Sequence, residues 1–283
     1  MNVMVLGATG YLGKNLVYKL QEEHHGVMCV TRVASDTSNI EKLNNVLFIS
    51  NKMEAIEIAL KHNKIDWIIN CVCNYNENGT LYGDIIESNI IFPLQVLNLA
   101  VKYGVNNFVT IGSSLPENIN MYSFTKYKYG EFGKFICDNN RINFADLKVE
   151  MFYGGRFEPD NRFINSCKNK LKRNEEILLT TGLQKRDIIR VEDVVSIIAR
   201  LITSNYLVGY MLLPIGSGEQ HSIVEILAYM KKKMQSSSIL HFGAKESRKI
   251  EPDTVADIKW YKDIGYNLQY SFFEGLADKC TVD

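Results

Sequence analysis

A tyrosine and a lysine four residues apart, Tyr122 and Lys126, are the side chains whose types and spacing point most directly to chemistry. Residues 122–136 have the pattern of a helix, and positions i and i+4 share one helix face. An ammonium group beside a phenol stabilises the phenolate, so we expect Lys126 to lower the pKa of Tyr122 towards neutrality. Tyr122 is then a candidate proton donor or acceptor; the plain alternative is a surface pair on an ordinary helix.

A glycine-rich turn follows the first apolar segment of the chain. Residues 3–6 predict a short strand buried on both faces, and residues 11–21 predict an amphipathic helix. The glycines between them allow a tight turn in which a pyrophosphate approaches free N–H groups at the helix N-terminus. The residues expected to contact a dinucleotide there are Gly7, Thr9, Gly10, Tyr11, Leu12 and Gly13.

The second predicted strand, residues 26–31, is followed directly by Arg32. A carboxylate at that place would bind a ribose 2′-hydroxyl, whereas an arginine suits a 2′-phosphate through charge-assisted hydrogen bonds. Arg32 therefore favours NADP, as NADPH in the reductive direction, with NAD as the alternative cofactor. A merely solvent-exposed arginine is the plain alternative.

Strand and helix patterns alternate from the first residue, which predicts an α/β fold with a Rossmann-type, doubly wound parallel sheet and right-handed crossovers. Beyond residue 153 the pattern is less regular and predicts a smaller C-terminal α/β lobe. Further strands are expected at residues 46–50, 66–72, 108–111, 144–149 and 177–181. Further helices are expected at residues 53–62, 85–103, 163–172 and 222–234.

The Tyr122–Lys126 pair, the glycine-rich turn and Ser113-Ser114 at a strand end together resemble the extended short-chain dehydrogenase/reductases of the NAD-dependent epimerase/dehydratase family. The resemblance covers nearly the whole chain, and the spacing G-x-x-G-x-x-G is the variant that this family shows. It implies that Ser113, Tyr122 and Lys126 converge on one substrate carbonyl. Tyr122 would deliver a proton, Ser113 would orient the carbonyl oxygen, and Lys126 would tune Tyr122 and hold the nicotinamide ribose. Ser114 competes with Ser113 for its role.

The same resemblance extends to the rest of the cofactor site and to the domains. Cys71 and Val72, at the end of the fourth predicted strand, would face the nicotinamide side of the cofactor, and Asn89 matches a structural asparagine of the family. Residues 1–153 would form the NAD(P)-binding domain, on which residues 187–203 pack back. Residues 154–283 would form mainly the substrate-binding lobe.

Arg186 begins a segment that is close to a family motif of arginine, aspartate and apolar residues. In that motif the arginine binds the diphosphate of a nucleotide-linked sugar, so the resemblance makes Arg186 the expected anion clamp. The alternative is an ion pair of Arg186 with Asp187 or Asp193.

Within the family, residues 180–187 and 236–244 resemble most the CDP-abequose and paratose synthase type of 4-ketoreductase. This implies NADPH-dependent reduction of a nucleotide-linked 4-keto-deoxysugar, in deoxysugar biosynthesis for O-antigen or another glycan, with CDP, dTDP, UDP or GDP as the nucleotide. Ser114 and Leu115 stand where 4,6-dehydratases carry an Asp-Glu pair, and Met151 stands where many relatives have a substrate-contacting asparagine. The alternatives are an NAD-dependent epimerase and a non-catalytic nucleotide-binding module.

Composition excludes several classes of partner. The 32 basic and 32 acidic residues balance, so neither nucleic acid nor an anionic membrane is an expected bulk partner. The six cysteines show no metal-ligand spacing, and Cys71 and Cys73 are expected as buried thiols on one strand face. The chain starts with a core strand, which leaves no room for a signal peptide, and no apolar run reaches bilayer length. We expect a cytoplasmic protein that forms a homodimer.

Overall fold

The computed structural model describes residues 1–75, 81–247 and 250–281. The strands in this part of the chain are β1 Asn2–Leu6, β2 Gly26–Thr31, β3 Val46–Ser50, β4 Trp67–Asn70, β5 Asn107–Ile111, β6 Asn143–Val149, β7 Met151–Tyr153, β8 Ile177–Leu178, β9 Lys185–Arg186, β10 Ile188–Arg190, β11 Tyr210–Ile215, β12 His221–Ser222 and β13 Leu240–His241. The α-helices are α1 Tyr11–Glu22, α2 Met53–His62, α3 Tyr82–Ile86, α4 Phe92–Lys102, α5 Met121–Asn139, α6 Phe163–Lys172, α7 Val191–Thr203, α8 Ile223–Lys233 and α9 Phe272–Thr281.

The central sheet confirms the predicted Rossmann-type, doubly wound fold. Its seven strands are all parallel, in the order β11-β6-β5-β4-β1-β2-β3. The strand order reverses between β1 and β4, and ligands of such sheets bind outside the carboxyl ends of the strands at that point. The loops after β1, β4 and β5 therefore form the expected site.

Helices cover both faces of the sheet. One buried cluster joins the sheet to α1 and α7, and a second joins it to α2, α4 and α5. A third cluster lies outside the sheet and packs α6, α8 and α9 around Tyr153 and Ile188. This third cluster is the core of the smaller C-terminal lobe.

The seventh strand, β11, is an element that the sequence patterns did not predict. It lies in the C-terminal half of the chain but pairs with β6, with Tyr210 opposite Phe144 and Ile215 opposite Val149. Helix α7, which precedes it, packs on α1. The C-terminal half thus contributes both a strand and a helix to the dinucleotide-binding half before it forms the smaller lobe.

The helical run Tyr82–Lys102 differs from expectation in its apolar length. A π-helical turn, Glu87–Ile91, joins α3 to α4 in this run. The run has 21 residues, and an 18-residue window within it has a mean hydropathy of 1.2, so by length and composition alone this helix of the described chain could cross a membrane. Of that window 33% is buried, and residues Val96, Leu97 and Ala100 of the run belong to the buried cluster beneath the sheet.

Cys71 and Cys73 do not alternate on a strand as predicted. Strand β4 ends at Asn70, and both cysteines lie in the loop that follows, where they are only partly buried. Asn70 accepts a hydrogen bond from the backbone N–H of Val72 at 3.1 Å, which turns the chain away from the sheet. The two thiols therefore line the space beyond the strand ends.

Candidate active site

Helix α5 places Tyr122 and Lys126 in its first turns. The helix begins after Asn120, whose side chain accepts from the backbone N–H of Ser123 at 2.8 Å, while the Ser123 hydroxyl accepts from the backbone N–H of Asn120 at 3.2 Å. This capping box satisfies N–H groups that the first helical turn would otherwise leave unpaired. The start of the helix is thereby fixed directly beside Tyr122.

Ser113 and Ser114 follow β5 and bond different partners. Ser113 is buried, makes a side-chain hydrogen bond with Tyr122, and accepts from the backbone N–H of Leu115 at 3.2 Å. The Ser114 hydroxyl instead donates to Glu150 Oε2 at 2.9 Å. The geometry thus brings Ser113, rather than Ser114, to the phenol.

The pKa of Tyr122 is raised well above its ordinary value, contrary to the lowering expected from Lys126. Burial of the phenol is the largest cause, and neighbouring Tyr75 and Cys73 add to it, while the hydrogen bond with Ser113 lowers the pKa. The buried Lys126 ammonium donates to the backbone carbonyl of Val72 at 2.9 Å. Tyr122 is therefore held as the neutral phenol, the form that gives up a proton.

Asn89 connects α5 to the loop after β4. Its amide nitrogen donates to Thr125 Oγ1 and to the Asn74 carbonyl, each at 3.0 Å, and its oxygen accepts from the Asn74 N–H at 2.8 Å. Asn89 is itself buried. Its side chain thus positions the loop that carries Cys71 and Val72.

The turn after β1 has the shape that a dinucleotide requires. Gly7 has a φ of +72°, in the region where side chains other than glycine are strained. A Cβ at Gly13 would collide with the Gly7 carbonyl oxygen. The Tyr11 hydroxyl donates to the Gly154 carbonyl at 2.7 Å, which ties the turn to the loop after β7. These features fit a pyrophosphate at the N-terminus of α1.

Arg32 lies where the sequence predicted, directly after β2, and is exposed. Its position at the carboxyl end of the strand next to β1 is that of the residue that contacts the adenosine ribose in such sheets. Thr9 and Gly7, in the turn after β1, are partly exposed.

A cleft of about 630 Å³ unites most of the predicted site residues. The predicted residues among those that line it are Gly10, Tyr11, Leu12, Cys71, Ser113, Ser114, Tyr122, Lys126 and Arg186. Burial raises the pKa of the Cys71 thiol to about 12, so this thiol is neutral. We call Ser113, Tyr122 and Lys126 the α5 wall.

Arg186 lines the same cleft from β9. Its guanidinium donates to the carbonyl of Lys185 at 3.0 Å and to that of Pro252. The neighbouring Asp187 carboxylate accepts from Ser217 and from two further N–H groups, of Gly218 and Ala256. Asp187 thus organises the backbone of the smaller lobe.

Asp193, the other candidate partner of Arg186, is bonded elsewhere. Its carboxylate accepts from the Tyr266 hydroxyl at 2.6 Å and from the Gln269 N–H at 2.8 Å. The aspartate therefore holds the C-terminal segment against α7.

Glu150 and Thr254 are cleft residues that sequence reasoning missed. Glu150 follows β6, is 5 % exposed, and accepts from Thr254 Oγ1 at 2.7 Å. Burial raises its pKa to about 7, although the hydrogen bonds from Thr254 and Ser114 lower it. A glutamate inside the apolar run 149–153 is the sequence signal that could have identified Glu150 as a site residue. The sequence around Thr254 contains no comparable signal. We call Glu150, Arg186 and Thr254 the Arg186 wall.

Arg162 and Tyr75 are two further cleft residues that were not predicted. The Tyr75 ring lies against the Tyr122 ring, with centroids 4.8 Å apart, and its hydroxyl accepts from Arg162 at 3.2 Å. The Arg162 guanidinium lies 5.0–5.6 Å from the ring centroids of Tyr75, Phe152 and Tyr11. These cation–π contacts hold a further positive charge in the cleft, beside those of Lys126 and Arg186.

Sequence comparisons agree with this architecture. The family model for the NAD dependent epimerase/dehydratase family matches residues 3–209. A CDP-abequose synthase of Salmonella typhimurium is 30% identical over 98% of this chain and 96% of the relative. A putative UDP-glucose 4-epimerase of Methanocaldococcus jannaschii is 23% identical over 97% of this chain and 95% of the relative.

Solved structures show the same fold. The UDP-glucose 4-epimerase of Thermotoga maritima, solved with UDP-glucose, has a TM-score of 0.84 at 21% identity and covers 98% of this chain and 96% of its own. The UDP-glucuronic acid 4-epimerase of Bacillus cereus, solved with UDP-glucuronic acid and NAD, has a TM-score of 0.86 at 20% identity, with 99% of both chains covered. From its glycine-rich turn, its α5 wall and the match over residues 3–209, the chain belongs to the NAD-dependent epimerase/dehydratase family.

Proposed function

We propose that this protein is an NADPH-dependent reductase of a nucleotide-linked 4-keto-deoxysugar. The observation that carries the proposal is one cleft in which the hydrogen-bonded pair Ser113 and Tyr122 lies beside Lys126 and faces Arg186. The similarity to a CDP-abequose synthase over nearly the whole chain supports a CDP-linked sugar first, ahead of dTDP, UDP or GDP. The product would serve O-antigen or another glycan.

The α5 wall supplies the proton and the orientation. When bound, the nicotinamide supplies the hydride. Tyr122, kept neutral by burial, delivers its proton to the carbonyl oxygen as charge develops there. Ser113 hydrogen-bonds both that oxygen and the phenol, and Lys126, four residues further along the same helix, would stabilise the phenolate that is left. Each group thus acts on a single oxygen atom.

The preference for NADP depends on Arg32. Arg32 follows β2 and is exposed to solvent. Its guanidinium suits a 2′-phosphate, which is negatively charged, better than an uncharged ribose hydroxyl. The glycine-rich turn holds the pyrophosphate, and Cys71, Val72 and Asn89 shape the nicotinamide end. NAD is the alternative cofactor, since the family name and several structural neighbours refer to NAD.

A nucleotide-sugar 4-epimerase is the second candidate, and a specific observation favours it. The solved structures with high TM-scores include UDP-glucose and UDP-glucuronic acid 4-epimerases. An epimerase needs the same Ser113, Tyr122 and Lys126, because it removes and returns hydride at one carbon. It differs in retaining NAD through the whole cycle.

The assembly and the division of the chain follow from the same proposal. Residues 1–153, with 187–203, bind the cofactor, and the rest mainly binds the sugar nucleotide. We propose that the protein is cytoplasmic. We also propose a homodimer, because apolar side chains are exposed on α5 and on the helical run that contains α3 and α4. These residues are Ile86, Ile91, Phe124, Phe132 and Phe135.

Two measurements on purified protein test the proposal. A CDP-linked 4-keto-6-deoxysugar with NADPH should be reduced, followed as loss of nicotinamide absorbance, with NADPH exchanging freely. Tightly retained NAD together with interconversion of UDP-glucose and its 4-epimer would establish the epimerase instead. Binding of a nucleotide sugar and NADPH without any turnover would identify a non-catalytic binding module.

A further inference from the structure

Glu150 is a buried carboxyl group that the proposed reduction does not use. It is only 5 % exposed, yet it lines the cleft together with Ser113, Tyr122 and Arg186. The fold brings Glu150 to Ser114 from elsewhere in the chain.

The two oxygens of Glu150 have different surroundings. Ser114 Oγ and Thr254 Oγ1 both donate to Oε2, at 2.9 and 2.7 Å. An oxygen that accepts two hydrogen bonds is the poorer place for a proton, so the neutral acid carries its proton on Oε1. Both of these donors bond Oε2, and the Glu150 residue lines the cleft. A neutral Glu150 therefore offers a donor to a ligand in the cleft.

Charges around Glu150 act in opposite directions. After burial, which raises its pKa most, Asp187 also raises it, while the hydrogen bonds from Thr254 and Ser114 and the charge of Arg186 lower it. The resulting pKa of about 7 leaves both forms populated near neutrality. A ligand that carries negative charge tips such a balance towards the neutral acid, because like charges repel strongly at a buried site.

We propose that Glu150 is a substrate-binding residue that enters the complex as the neutral acid and donates from Oε1 to a diphosphate oxygen of the nucleotide-linked sugar. The inference rests on the proposed function, which gives the cleft a ligand with a diphosphate. The ionised oxygens of a diphosphate accept hydrogen bonds and donate none. The substrate binds together with a proton.

The sign of the pH dependence follows from linkage. If the ligand binds only the protonated acid, its affinity is highest at pH values below the pKa of Glu150 in the free protein. The affinity falls as the pH rises through that pKa. With that pKa at about 7, the Kd for a nucleotide sugar at pH 8 is about tenfold larger than at pH 6. Each phosphate of such a ligand carries one ester bond and one anhydride bond, so its single acidic oxygen stays ionised over this range.

Titration calorimetry with CDP-glucose and UDP-glucose tests the proposal. In buffers of different ionisation enthalpy at pH 8, the wild-type protein should take up close to one proton per ligand bound. Glu150→Gln keeps a donor but cannot ionise, so its Kd should be the same at pH 6 and pH 8, with no proton uptake. Glu131→Gln, an exposed glutamate on α5 outside the lining of the cleft, should behave as wild type.

Thr254→Val separates a ligand contact from a purely structural role. The Thr254 hydroxyl lowers the pKa of Glu150, so its removal should move the midpoint of the Kd–pH curve to higher pH. His221, opposite Arg186 on the paired strand β12, is retained in every variant. If the His221 imidazole caused the pH dependence of the Kd, that dependence would therefore still be present in Glu150→Gln.

The outcomes are distinct. Binding of a nucleotide sugar with no proton uptake, or a pH dependence that persists in Glu150→Gln, overturns the role of Glu150 and leaves the proposed function standing. Failure of all nucleotide sugars to bind a folded protein that binds NADPH overturns the proposed function and this inference with it. Melting temperatures of the variants identify any loss of folding.

Discussion

The two walls of the cleft hold their charges in different ways. On the α5 wall the Lys126 ammonium donates to a backbone carbonyl, that of Val72, and Tyr122 is kept neutral by burial. On the Arg186 wall a buried carboxyl, Glu150, accepts from hydroxyl groups and has a pKa of about 7. Near pH 7 the charges of the α5 wall therefore stay constant. On the Arg186 wall, Glu150 gains or loses its negative charge in the same pH range.

This difference suits two tasks. The proposed proton delivery needs a group that carries its proton before the reaction, and burial keeps Tyr122 protonated. The proposed recognition of an anionic ligand needs positive charge and donors, which Arg186 and the neutral form of Glu150 would supply. Changes in the α5 wall should therefore alter turnover, and changes in the Arg186 wall should alter the KM for the sugar nucleotide.

The largest effect is expected from Tyr122→Phe. The phenylalanine keeps the ring against Tyr75 but removes the proton donor, so turnover should fall by roughly 10²-fold or more. Calorimetry should find the affinity for NADPH nearly unchanged. A Tyr122→Phe enzyme with wild-type turnover would remove the α5 wall from the mechanism.

Arg32→Asp is expected to have the next largest effect, and it tests the cofactor half alone. Loss of a charge-assisted contact to the 2′-phosphate should weaken NADPH binding by about 1.5–3 kcal/mol and shift preference towards NADH. The KM for the sugar nucleotide should stay constant, since Arg32 lies outside the lining of the cleft. Equal NADPH affinity in the variant and the wild type would show that Arg32 is only a surface residue.

The sequence predicted the α5 wall better than the Arg186 wall for a physical reason. Helix periodicity and a strand end place Ser113, Tyr122 and Lys126, because these are local features of the chain. The contact of Glu150 with Thr254 joins residues 104 positions apart, and no local pattern encodes it. Periodicity also could not show that β11 would join the sheet.

The pKa of Tyr122 shows a second limit of sequence reasoning. The i,i+4 spacing correctly put Lys126 on the same helix, but the direction in which its ammonium points depends on the loop after β4. That loop offers the carbonyl of Val72, and Asn89 holds the loop in place. Burial of the phenol then raises the pKa more than the Ser113 hydrogen bond and the charge of Arg162 lower it.

Arg186→Ala tests the second wall, with a smaller expected effect. The KM for the sugar nucleotide should rise about tenfold, the lower range for a charge-assisted hydrogen bond, while the KM for NADPH stays the same. Arg186→Lys should recover part of the loss, because an ammonium cannot bind two oxygens in the fork geometry. A lower melting temperature with both KM values changed alike would instead assign Arg186 to the fold, through its bond to Pro252.

The smallest effect is expected from removal of the helix caps. These variants test how strongly the position of the α5 wall depends on the first turn of α5. Asn120 caps α5 and Ser222 caps α8, each in a capping box. Replacing either by alanine should cost about 1 kcal/mol of unfolding free energy. For a chain of this size that lowers the melting temperature by about 2–4 °C.

The two cap variants should differ in activity although they match in stability. Tyr122 lies in the first turn of α5, so fraying of that turn in Asn120→Ala displaces the proton donor and lowers turnover a further few-fold. Ser222 caps a helix of the smaller lobe and does not line the cleft, so Ser222→Ala should keep wild-type turnover. Equal turnover in the two variants would mean that the bonds of Ser113 and of Asn89 with Thr125, rather than the cap, hold the first turn in place.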